Sequence, residues 1–277
     1  MKILSRWLMK RLGQATGRYL KSHSLLKVNK YSPAILWRPE ARRIVVLAPH
    51  MDDEVIGCGG TLYKHVQRGA TVTVIYMTDG RYGGKLSPRP AGERRGEHEL
   101  SLVDTRKREA LLAMETLGIQ DSIFLDAEDG RLSSAQGLAD RVKQILESIA
   151  PDLVYLPFFL EEHPDHRAVT QILMDATQGI NCEFDCCGYE VWTPLFPNCL
   201  VEINDAVGVK KQALQHYQSQ LVENDYLHAA LGLNAYRAIA LSQKYGGFVE
   251  AFFMASLKDY RELYKMYCGW MLETNRP

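Results

Sequence analysis

The chain has 277 residues, of which 46% are hydrophobic, 24% charged and 9% aromatic. That balance suits one large globular domain or two small ones and excludes disorder, a collagen-like repeat or a disulfide scaffold. The formal net charge of zero conceals an asymmetry: residues 1–43 hold 11 Lys or Arg against the single acid Glu40, leaving 22 basic and 32 acidic groups for the rest.

The basic leader has no 7-residue apolar core, which argues against a secretory signal peptide. Leu4, Trp7, Leu8, Leu12, Ala15 and Tyr19 fall on one helical stripe, with Lys2, Arg6, Lys10 and Arg18 mostly off it. This is the pattern of a helix lying in an anionic membrane surface. A helix packed on its own domain, or a poorly ordered tail, is the alternative. No apolar run approaches the roughly 18 residues that a spanning helix needs. The chain therefore divides into a basic amphipathic extension, residues 1–41, and a single domain, residues 42–277, with a decorated C-terminal third.

From residue 42, apolar runs predict strands at Arg43–Ala48, Thr71–Met77, Ser122–Leu125 and Leu153–Leu156. Helical patterns lie between them at about 58–68, 94–117 and 136–149. Alternation at this spacing predicts βαβ units: an α/β fold with a parallel sheet and helices on both faces. A helix follows from Pro164 to about 177. Then come a connection containing Gly, Asn and Cys, a strand near Gly188–Trp192 and a turn bracketed by Pro194 and Pro197. Helices at Asp205–Asn224 and Lys258–Trp270 complete the chain. The six cysteines form no CxxC pair. Cys182, Cys186 and Cys187 could hold a metal, but reduced, partly buried thiols are the simpler account.

Two clusters carry chemistry. The first strand is followed by Pro49-His50-Met51-Asp52-Asp53-Glu54 and then Gly57-Cys58-Gly59-Gly60. A histidine and three carboxylates at a strand end are costly unless solvated or gathered around a cation. The glycines are expected to let the backbone turn into the next helix. A phosphate loop is excluded by the missing glycine fingerprints and by the carboxylates. The second cluster, Glu161-Glu162-His163-Pro164-Asp165-His166, follows the fourth strand, with Pro164 at the first helical position and His163 at the cap. His163 and His166 can then converge on one point. Ligands in open α/β sheets bind beyond the carboxyl ends of the strands. A mixed His/Asp set there suits Zn²⁺, with three protein ligands and one open position. The remaining acids and imidazoles are free for proton transfer.

At these residues the sequence resembles the PIG-L/LmbE family of zinc-dependent N-deacetylases. That family's signature is a strand, His-Pro-Asp-Asp-Glu and a glycine-rich turn, with His-Pro-Asp-His about a hundred residues on. Met77-Thr78-Asp79-Gly80, Arg106 with Glu109, Asp129-Gly130, Tyr189-Glu190-Val191-Trp192, Tyr217-Gln218-Ser219-Gln220 and Glu250-Ala251-Phe252 add lesser matches. Met51 departs from the pattern by standing where Pro is usual. The resemblance implies a Rossmann-like three-layer sandwich with a mostly parallel central sheet. It implies zinc held by His50, Asp53 and His166. Asp52 would take the proton from the attacking water, and His163 would stabilise the oxyanion or protonate the leaving amine, with Asp165 as its partner. Arg106 and Asp129 would contact the sugar, and Glu54 would hold the motif loop.

The expected activity is release of acetyl from an N-acetylated amino sugar: a small-molecule N-acetylglucosamine-type conjugate, lipid-linked or nucleotide-linked among the options. No nucleic acid is expected as a partner. The expected location is cytoplasmic, with peripheral contact at the inner membrane surface through residues 1–30 as an option. The rival readings are an amidase for a non-sugar N-acyl group and a non-catalytic metal-stabilised binding protein.

Overall fold

Eight apolar segments assemble into one sheet: β1 (Ile35–Leu36), β2 (Arg43–Ala48), β3 (Thr71–Thr78), β4 (Asp121–Ala127), β5 (Leu153–Pro157), β6 (Asp185–Tyr189), β7 (Cys199–Glu202) and β8 (Val249–Ser256). The computed structural model describes residues 35–36, 40–83, 95–180, 182–241 and 246–274. The amphipathic stripe from Leu4 to Tyr19 lies outside them. The strand order is β1-β7-β8-β6-β5-β2-β3-β4. β8 runs antiparallel to both β6 and β7, and all the other pairs are parallel. Ile35–Leu36, inside the stretch assigned to the extension, pairs with Cys199–Leu200 at the sheet edge.

β2 sits between β5 and β3, and Ile44 to Ala48 are fully buried. A strand covered on both faces needs such a continuous apolar run. Its residues alternate between two cores. Ile44, Val46 and Ala48 face α1 (Asp53–Gln67), α2 (Arg95–Leu117) and α5 (Val207–Gln215), while Val45 and Leu47 face α3 (Leu138–Ile149), α4 (Pro164–Ala176) and α8 (Leu257–Thr274). The result is the expected three-layer α/β sandwich with a mostly parallel sheet.

The C-terminal third departs from expectation. The strand lies at Asp185–Tyr189 rather than Gly188–Trp192, because Cys186 and Cys187 act as small apolar residues, one in each core. β7, β8 and α7 (Tyr226–Ala238) were not foreseen. They follow from long-range pairing that no local pattern announces. The single helix expected over Asp205–Asn224 is broken at His216–Tyr217 into α5 and α6 (Gln218–Leu221).

The glycine-rich segment also differs. α1 begins at Asp53, five residues before the expected 58, so Gly57, Gly59 and Gly60 lie inside the helix rather than in a turn. They allow close packing. A Cβ at Gly57 would lie 2.3 Å from Tyr189 Cδ2, and one at Gly60 would lie 2.9 Å from Ile203 Cδ1.

A buried ion pair pins this helix. Lys210 Nζ lies 2.6 Å from Glu250 Oε1 and donates to Ile56 O at 2.8 Å. The Glu250 carboxylate accepts the Gly60 and Thr61 N–H groups at 2.9 and 2.7 Å. Removing one member of such a pair strands a buried charge, at a cost of about 3–5 kcal/mol. Lys210→Met is therefore expected to lower the unfolding free energy by about that amount in urea titration. Lys210→Met/Glu250→Gln should recover part of the loss; a near-neutral Lys210→Met would contradict the assignment.

Candidate active site

The loops after β2, β3, β4, β5 and β6 meet at the carboxyl edge of the sheet, around a cavity of about 440 Å³. The loop from Pro49 to Asp52 joins β2 to α1 with an unusual backbone: Asp52 has φ 135° and ψ −29°. A non-glycine residue there stores on the order of 1–3 kcal/mol and persists only where its surroundings over-determine it. Here they do. Asp52 O accepts from Val55 and Ile56 N–H at 3.0 and 2.9 Å. Asp52 N–H donates to Glu54 Oε2 at 3.2 Å, and Glu54 is held by the hydroxyls of Tyr76 and Tyr217. The buried Arg106 guanidinium donates to Met51 O at 3.0 Å and to Gly80 O at 2.8 Å.

Asp53 Oδ2 is the hub of the site. It lies 3.2 Å from His50 Nδ1 and 3.3 Å from His166 Nε2, and it accepts the His50 N–H at 3.0 Å. The other side of the His50 ring, Nε2, faces Asp129 Oδ1 at 3.2 Å and Asp165 Oδ2 at 3.3 Å. Asp129 accepts the Tyr82 N–H, and Asp165 accepts the N–H groups of Gly130 and Leu132. Two triplets offer ligand atoms within 4.8 Å of one another: His50, His163 and His166, and His50, Asp129 and Asp165. Both ring nitrogens of the fully buried His166 lack a hydrogen-bond partner. An unsatisfied imidazole in that position is what an absent cation would leave.

The electrostatics follow from burial and crowding. Burial, then the charge of Asp53, push the Asp52 carboxyl up to about 8, with Arg106 opposing. Burial pushes Glu54 up to about 7, against the Tyr217 hydrogen bond. Burial works against the Asp53 charge, but the two imidazoles more than offset it and hold the group below the usual carboxylate range. Asp129 is brought down to about 2 because its contact with His50 outweighs desolvation. Burial and the neighbouring imidazoles lower His163.

The residues expected from the sequence are brought together, with two differences in detail. His163 caps α4 as anticipated, but its Nδ1 accepts the Asp165 backbone N–H at 3.2 Å. The Asp165 carboxylate, expected to serve His163, faces His50 instead. The second residue of a helix points its N–H back at the cap while its side chain is free to turn away. Arg106 lines the cavity but is only 2% exposed, its guanidinium engaged by the carbonyls of Met51 and Gly80. Trp192, in the Tyr189-Glu190-Val191-Trp192 stretch noted above, also lines the cavity, as do Tyr82 and Tyr226, which the sequence does not single out. Their only signal is position: each lies in a loop or helix beyond a strand end.

A family model described as PIG-L, GlcNAc-PI de-N-acetylase, matches residues 45–177, the stretch holding both histidine motifs. The diacetylchitobiose deacetylase of Thermococcus kodakarensis is 28% identical over 203 residues, which is 67% of this chain and 72% of that protein. The solved N,N'-diacetylchitobiose deacetylase of Pyrococcus horikoshii aligns with a TM-score of 0.63 at 22% identity, covering 88% of this chain and 92% of that one. A 4-carboxy-2-hydroxymuconate hydratase from Pseudomonas putida aligns with a TM-score of 0.64 at 19% identity, covering 78% and 96%. These two structural likenesses show a shared fold. With both motifs at the carboxyl edge of that fold, residues 45–177 make up a PIG-L family domain, and the chain resembles the PIG-L/LmbE-like deacetylases.

Proposed function

We propose that the protein hydrolyses the acetamide of an N-acetylated amino sugar, with a zinc ion held by His50, Asp53 and His166. The observation that carries this reading is the shared Asp53 oxygen, 3.2 and 3.3 Å from nitrogens of two imidazoles, one of which has no hydrogen bond at all. Ligands about 2.1 Å from a tetrahedral ion stand about 3.4 Å apart, close to the spacing of the Asp53 oxygen from each imidazole. Two imidazoles and one carboxylate are a zinc-type donor set, and Asp129 with Asp165 on the far side of His50 would orient that ring. Such an ion supplies Lewis acidity, polarising the amide carbonyl and making water a competent nucleophile near neutral pH.

The protein's own groups supply the rest. Asp52 lines the cavity one residue from Asp53 and accepts the proton of the attacking water. Its burial makes it a stronger base than an ordinary carboxylate, and a cation held beside Asp53 would keep it ionised. Because His163 Nδ1 accepts a backbone N–H, the neutral ring carries its proton on Nε2. That N–H hydrogen-bonds the developing oxyanion, and the proton Asp52 has taken from the water passes to the departing amine as the C–N bond breaks, leaving acetate and the free amino sugar. Arg106 holds the strained loop through Met51 O. Trp192, half exposed and edge-on to Tyr226 with ring centroids 5.6 Å apart, offers a platform for a sugar ring. Sugar chemistry is favoured over a non-sugar amide by the relatives' names, a GlcNAc-PI de-N-acetylase and a diacetylchitobiose deacetylase. Among the described residues no helix is long and apolar enough to cross a membrane. Attachment through residues 1–30 would be peripheral, bringing the site to a lipid-linked conjugate.

The zinc-loaded protein is expected to release acetate from a panel of N-acetylhexosamine conjugates and not from N-acyl amino acids; the opposite pattern would select the amidase reading. Asp52→Asn should lower kcat by roughly 10²–10⁴-fold while zinc content by metal analysis stays the same. Asp52→Gly removes both the backbone strain and the repulsion by Asp53. It should raise the melting temperature by about 2–4 °C while abolishing turnover, a gain of about 1 kcal/mol. Deleting residues 1–30 should slow deacetylation of a lipid-linked substrate far more than that of a soluble analogue; equal effects would remove the membrane role.

A further inference from the structure

The buried carboxylate of Glu161 has no part in the chemistry above, and its surroundings are unusual. It lies in the loop between β5 and α4 and is only 1% exposed. Oε1 accepts three successive backbone N–H groups, from Val191 at 2.7 Å, Trp192 at 3.1 Å and Thr193 at 3.2 Å. Oε2 accepts from Trp192 at 3.1 Å and lies 3.7 Å from His166 Nδ1, an atom with no hydrogen-bond partner. The same two segments are stapled again by Glu162 N–H donating to Thr193 Oγ1 at 3.1 Å. Arg167 braces the loop by donating to Glu161 O at 2.8 Å and to Glu162 O.

We infer that Glu161 is a positioning residue that ties the ion site to the substrate wall. The inference rests on the reading of His166 as an ion ligand. At 3.7 Å the contact with Nδ1 is electrostatic rather than a hydrogen bond. A carboxylate there nevertheless favours the tautomer with its proton on Nδ1. The lone pair then sits on Nε2, the nitrogen that faces Asp53. Carboxylate partners behind metal-bound imidazoles act in this way. The three amides that satisfy the other oxygen belong to the segment carrying Trp192, which lines the cavity. One side chain thus sets both the face that His166 shows to the ion and the place of the wall that meets the sugar.

Two substitutions separate these tasks. In Glu161→Gln the amide oxygen can still accept from Val191, Trp192 and Thr193, but an NH₂ group replaces the oxygen that faces His166 and shares the Trp192 N–H. Donation to Nδ1 moves the ring proton to Nε2, the wrong nitrogen for binding an ion. In Glu161→Ala both tasks are lost. Zinc affinity of the full-length chain, measured by competition with a chromogenic chelator, should fall 10–100-fold in Glu161→Gln. The thermal midpoint of that variant should stay close to wild type, and its KM for an N-acetylated sugar at saturating zinc should be unchanged. Glu161→Ala should raise that KM as well. A merely structural role predicts the reverse order, with Ala impaired in every measurement and Gln nearly normal. Zinc binding by Glu161→Gln within twofold of wild type would overturn the inference and leave the ion site standing. A wild-type protein that takes up no zinc would overturn both.

Discussion

The constraint on which the site depends is the burial of negative charge. Asp52, Asp53, Glu54, Asp129, Glu161 and Asp165 are all buried at the carboxyl edge of one sheet, where an unpaired ionised carboxylate is prohibitively costly. Most are answered locally. Asp165 takes two backbone amides, Asp129 takes one, Glu161 takes three, and Glu54 takes two tyrosine hydroxyls and the Asp52 amide. Asp52 and Asp53 are left to the imidazoles, the His50 amide and an Arg106 guanidinium 4.0 Å from Asp52. Charge remains to be balanced at the point where His50, Asp53 and His166 meet, and a divalent cation there would balance it.

A strained backbone at Asp52 is possible because everything around it is rigid. β2 lies at the centre of the sheet with both faces covered, and α1 is anchored by close glycine packing against Tyr189 and Ile203 and by the Lys210–Glu250 pair. Arg106, reaching from α2, secures the carbonyl just before the strained residue. The stability of the two cores is thus coupled to the geometry of a single loop. Stored strain at the residue proposed to take the proton would be the common exchange of stability for preorganisation. The resemblance in fold to a hydratase at a TM-score of 0.64 shows that this scaffold does not dictate a reaction. The chemistry belongs to the side chains.

Much of the scaffold and the membership of the site were legible before the fold. Arg43–Ala48 is recognisable as a doubly covered strand because its apolar run is continuous. Pro164 marks the start of α4 because it tolerates only the first turn of a helix. His50, Asp52, Asp53, His163 and His166 stand out because each cluster is local and chemically expensive. The later strands were less legible. Cys186 and Cys187 look like loop residues by composition, and β8 owes its place to antiparallel pairing with strands about 45–70 residues away in the chain. The glycines of α1 resemble a turn in the sequence because a helix-interior glycine is recognised only from what packs against it.

The sequence by itself determined which residues are chemically exceptional, which strand ends present them, and that two distant motifs belong together, since these follow from local propensity and the cost of clustered charge. Only the tertiary structure decided the pairings. Asp165 turns to His50 rather than His163, Tyr217 reaches Glu54 from a break between two short helices, Arg106 grips the loop, and Glu161 links His166 to the wall that bears Trp192. Each of these joins residues far apart in the chain or turns a side chain away from its neighbour. Its direction is set by which buried donor finds which buried acceptor once water has been excluded, and no local pattern encodes that.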